Sequence, residues 1–266
     1  MLSVTQKILR ISLGGVISTA LLLLWSCNTP PTGKGTDQQY AVGGSLVINL
    51  DHDSTVTAVQ FLRDLAVAKN ADIRLGTRTL AFNNQAYPLD SVYSRMVDSV
   101  TDYSVGTRYL RVADSTVFVD SAITTSPGTL SILTVTPANR LIQGNGQASL
   151  TWTTSSGAQG YVLAAVQKKD AYSGPAYSAY NTSMATAGTF PPDAFSLSVG
   201  DAPDTGWYYL YVYSYTGSPN KSLADLSLPA PLPTQLANNI NHTELAGSFG
   251  TVVVSAHDSV HVVFQP

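Results

Sequence analysis

At 266 residues the chain is long enough for two domains of ordinary size, each with its own core. Only 12% of its residues are charged, the net charge is −3, and no Lys/Arg run exceeds Lys168-Lys169, which excludes a nucleic-acid footprint and a polybasic membrane patch. Glu244 is the single glutamate among abundant Thr, Ser, Tyr, Val and Gly, which argues against helical surfaces, while 44% hydrophobic residues argue against disorder.

The first element is an export signal. Lys7 and Arg10 precede an uncharged run ending at Ser26, with Ala20-Leu21-Leu22-Leu23-Leu24 at its heart. The run is shorter than the roughly 20 apolar residues of a spanning helix, so cleavage is expected rather than an uncleaved signal anchor. Removing Lys7 and Arg10 from the 14 basic residues leaves 12 against 17 acidic ones in the exported part. The only cysteine, Cys27, stands where the run stops, in Leu24-Trp25-Ser26-Cys27, so no disulfide can form within the chain. These four residues resemble the lipobox of bacterial lipoproteins, with Leu24 and Ser26 matching and Trp25 bulkier than usual. The resemblance implies a lipid on Cys27, membrane as a partner through that lipid, and, with Asn28 rather than Asp following, the outer membrane. More than one acyl chain is needed for stable anchoring.

Residues 27–44 are Pro/Gly/Thr-rich and are read as a flexible tether. A first β-sandwich-like domain is expected over 45–131, with strands at 46–50, 56–62, 72–75, 79–82, 108–112 and 117–120. Residues 90–100 suit a short helix or a strand equally, because Val92, Met96, Val97 and Val100 fit both periods.

The second domain is expected over 132–266. Leu150 and Trp152 alternate with Thr151; Tyr161, Leu163 and Ala165 follow Gly160; Phe195, Leu197 and Val199 repeat the period; and a Pro203 turn leads into Tyr208, Leu210, Val212 and Ser214. These residues resemble a fibronectin type III domain over about 135–215, followed by a Pro-rich stretch with Pro219, Pro229, Pro231 and Pro233. The resemblance implies a seven-stranded sandwich, with Trp152 between its sheets, used for spacing and recognition. The fold class is therefore all-β: tandem immunoglobulin-like or fibronectin type III-like sandwiches after a signal peptide and tether. Asp53-Ser54, Asp114-Ser115 and Asp258-Ser259 echo one another and read as hairpin turns.

Chemistry is sparse. His52-Asp53-Ser54 and His257-Asp258-Ser259 spell a triad, but adjacent residues cannot place Ser and Asp on opposite sides of an imidazole. Ser218-Pro219-Asn220-Lys221 has a Ser-x-x-Lys spacing in what reads as a loop. His257, His261 and His242, or the acidic pairs Asp51/Asp53 and Asp201/Asp204, fall short of a metal-ligand pattern. No cofactor and no catalytic residue is assigned.

If Tyr208, Leu210 and Val212 face the core, Tyr209, Tyr211, Tyr213 and Tyr215 face the other way. Such a ladder is expected to point outward, with Tyr172, Tyr177 and Tyr180 in a loop extending it. It can stack sugars, meet a partner protein or lie under a neighbouring domain. The expected function is a non-catalytic, lipid-anchored module for recognition or assembly at the cell surface; a carbohydrate-binding lipoprotein is the alternative, and a hydrolase a third.

Overall fold

The computed structural model describes residues 40–63, 70–75, 78–83, 94–98, 106–114, 117–168, 176–181, 184–198, 201–241 and 245–263. The signal, Cys27 and Tyr172 lie outside the described residues. The body is all-β. Its strands are β1 (Tyr40–Asn49), β2 (Ser54–Arg63), β3 (Asn70–Leu75), β4 (Arg78–Asn83), β5 (Ser94–Asp98), β6 (Gly106–Asp114), β7 (Val117–Ser126), β8 (Ile132–Thr136) and β9 (Leu141–Gln143). They continue with β10 (Ala148–Trp152), β11 (Gly160–Gln167), β12 (Ala176–Asn181), β13 (Ala187–Phe190), β14 (Gly206–Gly217), β15 (Ile240–Asn241), β16 (Leu245–Val254) and β17 (Asp258–Val263). The α-helical element described is one turn, α1 (Lys221–Ala224).

The C-terminal strands form an immunoglobulin-like sandwich. One sheet is β13-β10-β8; facing it, β12, β11 and β14 are hydrogen-bonded in order, with β17 beside the first half of β14. Named by the sandwich convention, A, B and E lie on one side and C′, C, F and G on the other. After β8 the chain passes the cis Thr136–Pro137 bond and crosses to the other sheet, where β9 runs parallel to β17. Trp152 is 2% exposed between the sheets, its ring edge-on to Tyr161 at 5.4 Å, as expected. Tyr208 Oη lies 2.9 Å from the Phe195 carbonyl oxygen and 3.0 Å from that of Asp204, four residues upstream. This is the tyrosine corner that marks the start of strand F in such domains.

Two segments depart from expectation. Phe195 and Leu197 are not in a strand, because Pro191 and Pro192 open a 3-10 turn at Pro192–Phe195 and remove the donors a ladder needs. The Phe195 ring still reaches the core. Residues 94–98 within the ambiguous 90–100 stretch are strand β5, paired to β2.

The sheet does not stop at the sandwich. β1 runs parallel to β16 over ten residue pairs, Tyr40↔Leu245 to Asn49↔Val254, and β2 and β5 follow it, so the order is β12-β11-β14-β16-β1-β2-β5. The expected tether to residue 44 thus gives way to strand at Tyr40, and one sheet crosses the expected division at 131/132. The cause is burial. Val42, Leu46 and Ile48 enter the sandwich core while Val47 joins a second cluster on the opposite face, so β1 is apolar on both sides, as a central parallel strand must be. Strands β4-β3-β6-β7 form a separate four-stranded sheet, whose last strand touches β14 where Thr124 Oγ1 meets Thr216 Oγ1 at 3.3 Å.

Candidate functional site

The alternation along β14 holds: Tyr208, Leu210 and Val212 are in the sandwich core, and Tyr209, Tyr211, Tyr213 and Tyr215 are on the other face. The expectation that this face points outward is corrected. Tyr211 is 4% and Tyr213 0% exposed, because residues 218–232 fold back over them and bury Ala224, Ala230 and Leu232 against the rings. Tyr213 Oη accepts from Ala230 N at 2.9 Å and donates to Ala230 O at 3.2 Å. Ser178 Oγ donates to Pro231 O at 2.5 Å and Tyr180 Oη to Thr234 O at 3.0 Å. Burial pushes the Tyr213 hydroxyl far above the ordinary tyrosine range, so it stays neutral and serves as both donor and acceptor.

The covering segment is itself stapled. Asn220 caps α1 through Leu223 N at 3.2 Å; Asp225 takes Lys221 Nζ at 2.8 Å on one oxygen and Leu232 N at 2.7 Å on the other. Its entry requires bare backbone beneath it. A Cβ on Gly250 would stand 2.3 Å from Pro219 N, and one on Gly43 would stand 2.4 Å from Asn220 Nδ2. The Ser-x-x-Lys spacing is therefore structural, with Lys221 on Asp225 and on the Leu232 carbonyl rather than on Ser218, and with α1 starting where a loop was expected.

Where the segment turns, at residues 225–229, a cleft of about 550 Å3 remains between it and the end of the tyrosine face. Its walls include Val166, Lys168, Tyr209, Tyr211, Leu226, Leu228 and Pro229, and Asn49 and His52 of the β1–β2 turn complete it. Lys168 Nζ lies 5.5 Å from the centre of the Tyr209 ring, within cation–π range.

Beside the cleft sits a polar cluster assembled from three distant segments. Asn49 Oδ1 accepts from Asp51 N and His52 N at 2.9 and 3.2 Å, shaping the β1–β2 turn. The turn aims Asp51 at the C-terminal strands, where its Oδ1 takes His257 Nδ1 at 2.7 Å and His257 N at 3.1 Å, and its Oδ2 takes Tyr211 Oη at 3.3 Å. Burial pushes the Asp51 carboxyl up, but the two hydrogen bonds from His257 and the charges of His257 and His52 outweigh it and hold the group below its usual value. Burial, with the Asp51 charge beside it, pushes the Tyr211 hydroxyl far up. The His257 ring also lies against Tyr209, centroids 4.1 Å apart.

This Asp51–His257 pair was invisible in either three-letter run, since Asp51 stands just before the first run and 206 positions from His257. His52-Asp53 lies in the β1–β2 turn as expected, whereas Asp258-Ser259 starts strand β17 and Asp258 pairs with Arg140 at 3.0 Å. His261 stacks on Trp207 at 4.9 Å, and His242 lies outside the described residues. Among the described residues no group of three or more His, Cys, Asp or Glu could hold a metal ion. Tyr177 and Tyr180 are in strand β12, not a loop, and they diverge there. Tyr180 extends the ladder edge-on to Tyr215 at 5.7 Å, while Tyr177 packs on Phe190 on the core side at 6.1 Å.

No protein-family model matches the chain, and no curated protein matches it. Among solved structures, 67 chains match. They include a cytokine receptor complex, 14% identical over 82% of this chain and 94% of that one, with a TM-score of 0.26. The chicken CNTN1 FN1-FN3 domains are 10% identical over 86% and 69%, with a TM-score of 0.28. The C-terminal fragment of intimin, solved with the intimin-binding domain of its translocated receptor, is 10% identical over 80% and 62%, with a TM-score of 0.24. At these scores the likeness does not extend to the whole arrangement of strands, and the sandwich is assigned from the strand order and tyrosine corner described above.

Proposed function

We propose that the chain is a non-catalytic recognition module held at the outer membrane by lipidated Cys27, and that it meets its ligand at the cleft beside Tyr209. The observation that carries this reading is the cleft itself. It is a concavity of about 550 Å3, inside the ~300–1,000 Å3 range of small-ligand sites, with apolar and polar surface in nearly equal measure. The tyrosine ladder serves as architecture: its middle rings hold the 218–232 segment, and that segment in turn forms one wall of the cleft. The anchor reading is supported by the placement of the lone cysteine at the end of the apolar run.

Two measurements test the reading on the full chain. Labelling with a fatty-acid analogue is expected to mark the wild type and not Cys27→Ser; equal labelling of both ends the lipoprotein reading. Surface ligands captured by the wild-type protein are expected to be lost from Tyr209→Ala with unfolding midpoints preserved, and full retention moves the recognition site elsewhere.

A further inference from the structure

We propose that the ligand of this cleft is an acidic saccharide, a sugar whose ring lies along the apolar wall and whose carboxylate is met by Lys168. The inference rests on the reading of the cleft as the recognition site and adds the chemical class of what it recognises. Three observations carry it. First, the charges are unequal in availability. Asp225, the carboxylate in the lining, already holds Lys221 Nζ and Leu232 N, and nearby Asp51 holds His257 and Tyr211. Lys168 has no carboxylate partner among the described residues, lies only against the Tyr209 ring, and is exposed at the mouth. Among the described residues the cleft therefore offers a cation without a carboxylate partner, while its own carboxylate and nearby Asp51 are both engaged, which favours an anionic ligand.

Second, the cation is set beside flat and apolar surface, with His52 as the other basic side chain in the lining. Val166, Leu226, Leu228 and the edge of Tyr209 line the same space, so the ligand carries an apolar face next to its charge. A sugar ring has such a face, formed by its axial C–H groups; an inorganic phosphate does not. Third, neutral hydrogen-bonding groups stand around the rim. Asn49 and Tyr209 are in the lining; Asn49 Oδ1 is already taken by Asp51 N and His52 N, which leaves its amide nitrogen and the Tyr209 hydroxyl to meet a ligand. A polyhydroxylated ligand supplies partners for such groups. The Trp207 ring, 48% exposed and two residues before Tyr209 on the same face of β14, stacks on His261 with one face and continues the aromatic surface past the cleft with the other, giving room for a second sugar unit.

The test uses the full chain purified from membranes in detergent and three probes: a trigalacturonate, the matching neutral trigalactose and a hexaglutamate peptide. Calorimetric titration is expected to show trigalacturonate binding, with trigalactose weaker by about tenfold or more, the usual difference for one charge-assisted hydrogen bond. Lys168→Ala is expected to bring the acidic sugar down to the neutral one, Lys168→Arg to keep the preference, and added salt to shrink it. Equal binding of both sugars by the wild type, or an acidic preference that survives Lys168→Ala, overturns the acidic class while leaving the cleft as a recognition site. Binding of hexaglutamate in place of either sugar overturns the saccharide class in favour of an acidic peptide. If none of the probes binds and Tyr209→Ala also leaves captured surface ligands unchanged, the recognition reading falls along with the proposal; if none binds and Tyr209→Ala abolishes capture, only the ligand class falls.

Discussion

Asp51 ties three distant segments together through one carboxyl. Its carboxyl joins the β1–β2 turn to β14 and to the loop before β17, and it is held below the usual carboxylate value despite its burial. A group whose pKa is depressed on folding lends stability above its unfolded value, near 3.8, and that contribution is lost as pH falls through the lower folded value. Asp51→Asn is therefore expected to cost about 1–3 kcal/mol at neutral pH, as for loss of charged hydrogen bonds, and to flatten the acid limb of the stability curve. Urea midpoints at pH 7 and pH 3 check this; an unchanged acid limb would place the sensitivity elsewhere. Nothing in the sequence near Asp51 announced the role, because its partners are 160 and 206 positions away. Trp152 is the contrasting case. Its burial was expected from the strand period together with the fibronectin type III resemblance, and Trp152→Ala is expected to cost about 3–5 kcal/mol by thermal or urea unfolding.

At the scale of elements, the same contrast separates strands from the segments that cover them. Strand patterning located β1–β4, β6, β7, β10, β11 and β14, though β1 begins six residues earlier and β7 ends six later than expected, and it put the tyrosines of β14 on the correct face. It could not say what lies on that face, because patterning reports which way a side chain points and not whether another segment arrives there. The arrival depends on Pro229, Pro231 and Pro233 keeping the chain out of the ladder and on the Asp225 staple, neither of which has a periodic signature. The consequence for mutation is a reversal of the expectation for an outward ladder. Tyr213→Ser, harmless on an exposed face, is expected to cost about 3–5 kcal/mol as a buried truncation. Tyr213→Phe keeps the ring but strands Ala230 N and O, and is expected to cost about 1–3 kcal/mol. Circular dichroism melting of both variants decides the matter, and a Tyr213→Ser protein as stable as wild type would return the ladder to solvent.

For the whole molecule, the telling feature is that the first described strand lies among the last ones. Two runs, Leu46-Val47-Ile48 and Val252-Val253-Val254, are apolar without alternation, the pattern of strands buried on both faces. That signal was present in the sequence, but strand pairing across some two hundred residues is not, so a division near residue 131 looked natural. A chain starting at residue 128 would expose the β16 edge and one wall of the core, and is expected to aggregate or to unfold at a much lower urea concentration than the full chain. If it unfolds at the same midpoint, the C-terminal sandwich is an independent domain after all. The parallel pairing also fixes how the molecule answers to tension. β14 is antiparallel to both β16 and β17, so β17 points the same way as β1. The chain enters at the tail of one of these strands and leaves from the head of the other. A pull applied between the two ends therefore runs along the β1–β16 ladder and strains its ten residue pairs together, in shear, where a hairpin pulled from its open end would unzip bond by bond. A body wired in this way resists being drawn out from the end that begins nearest Cys27.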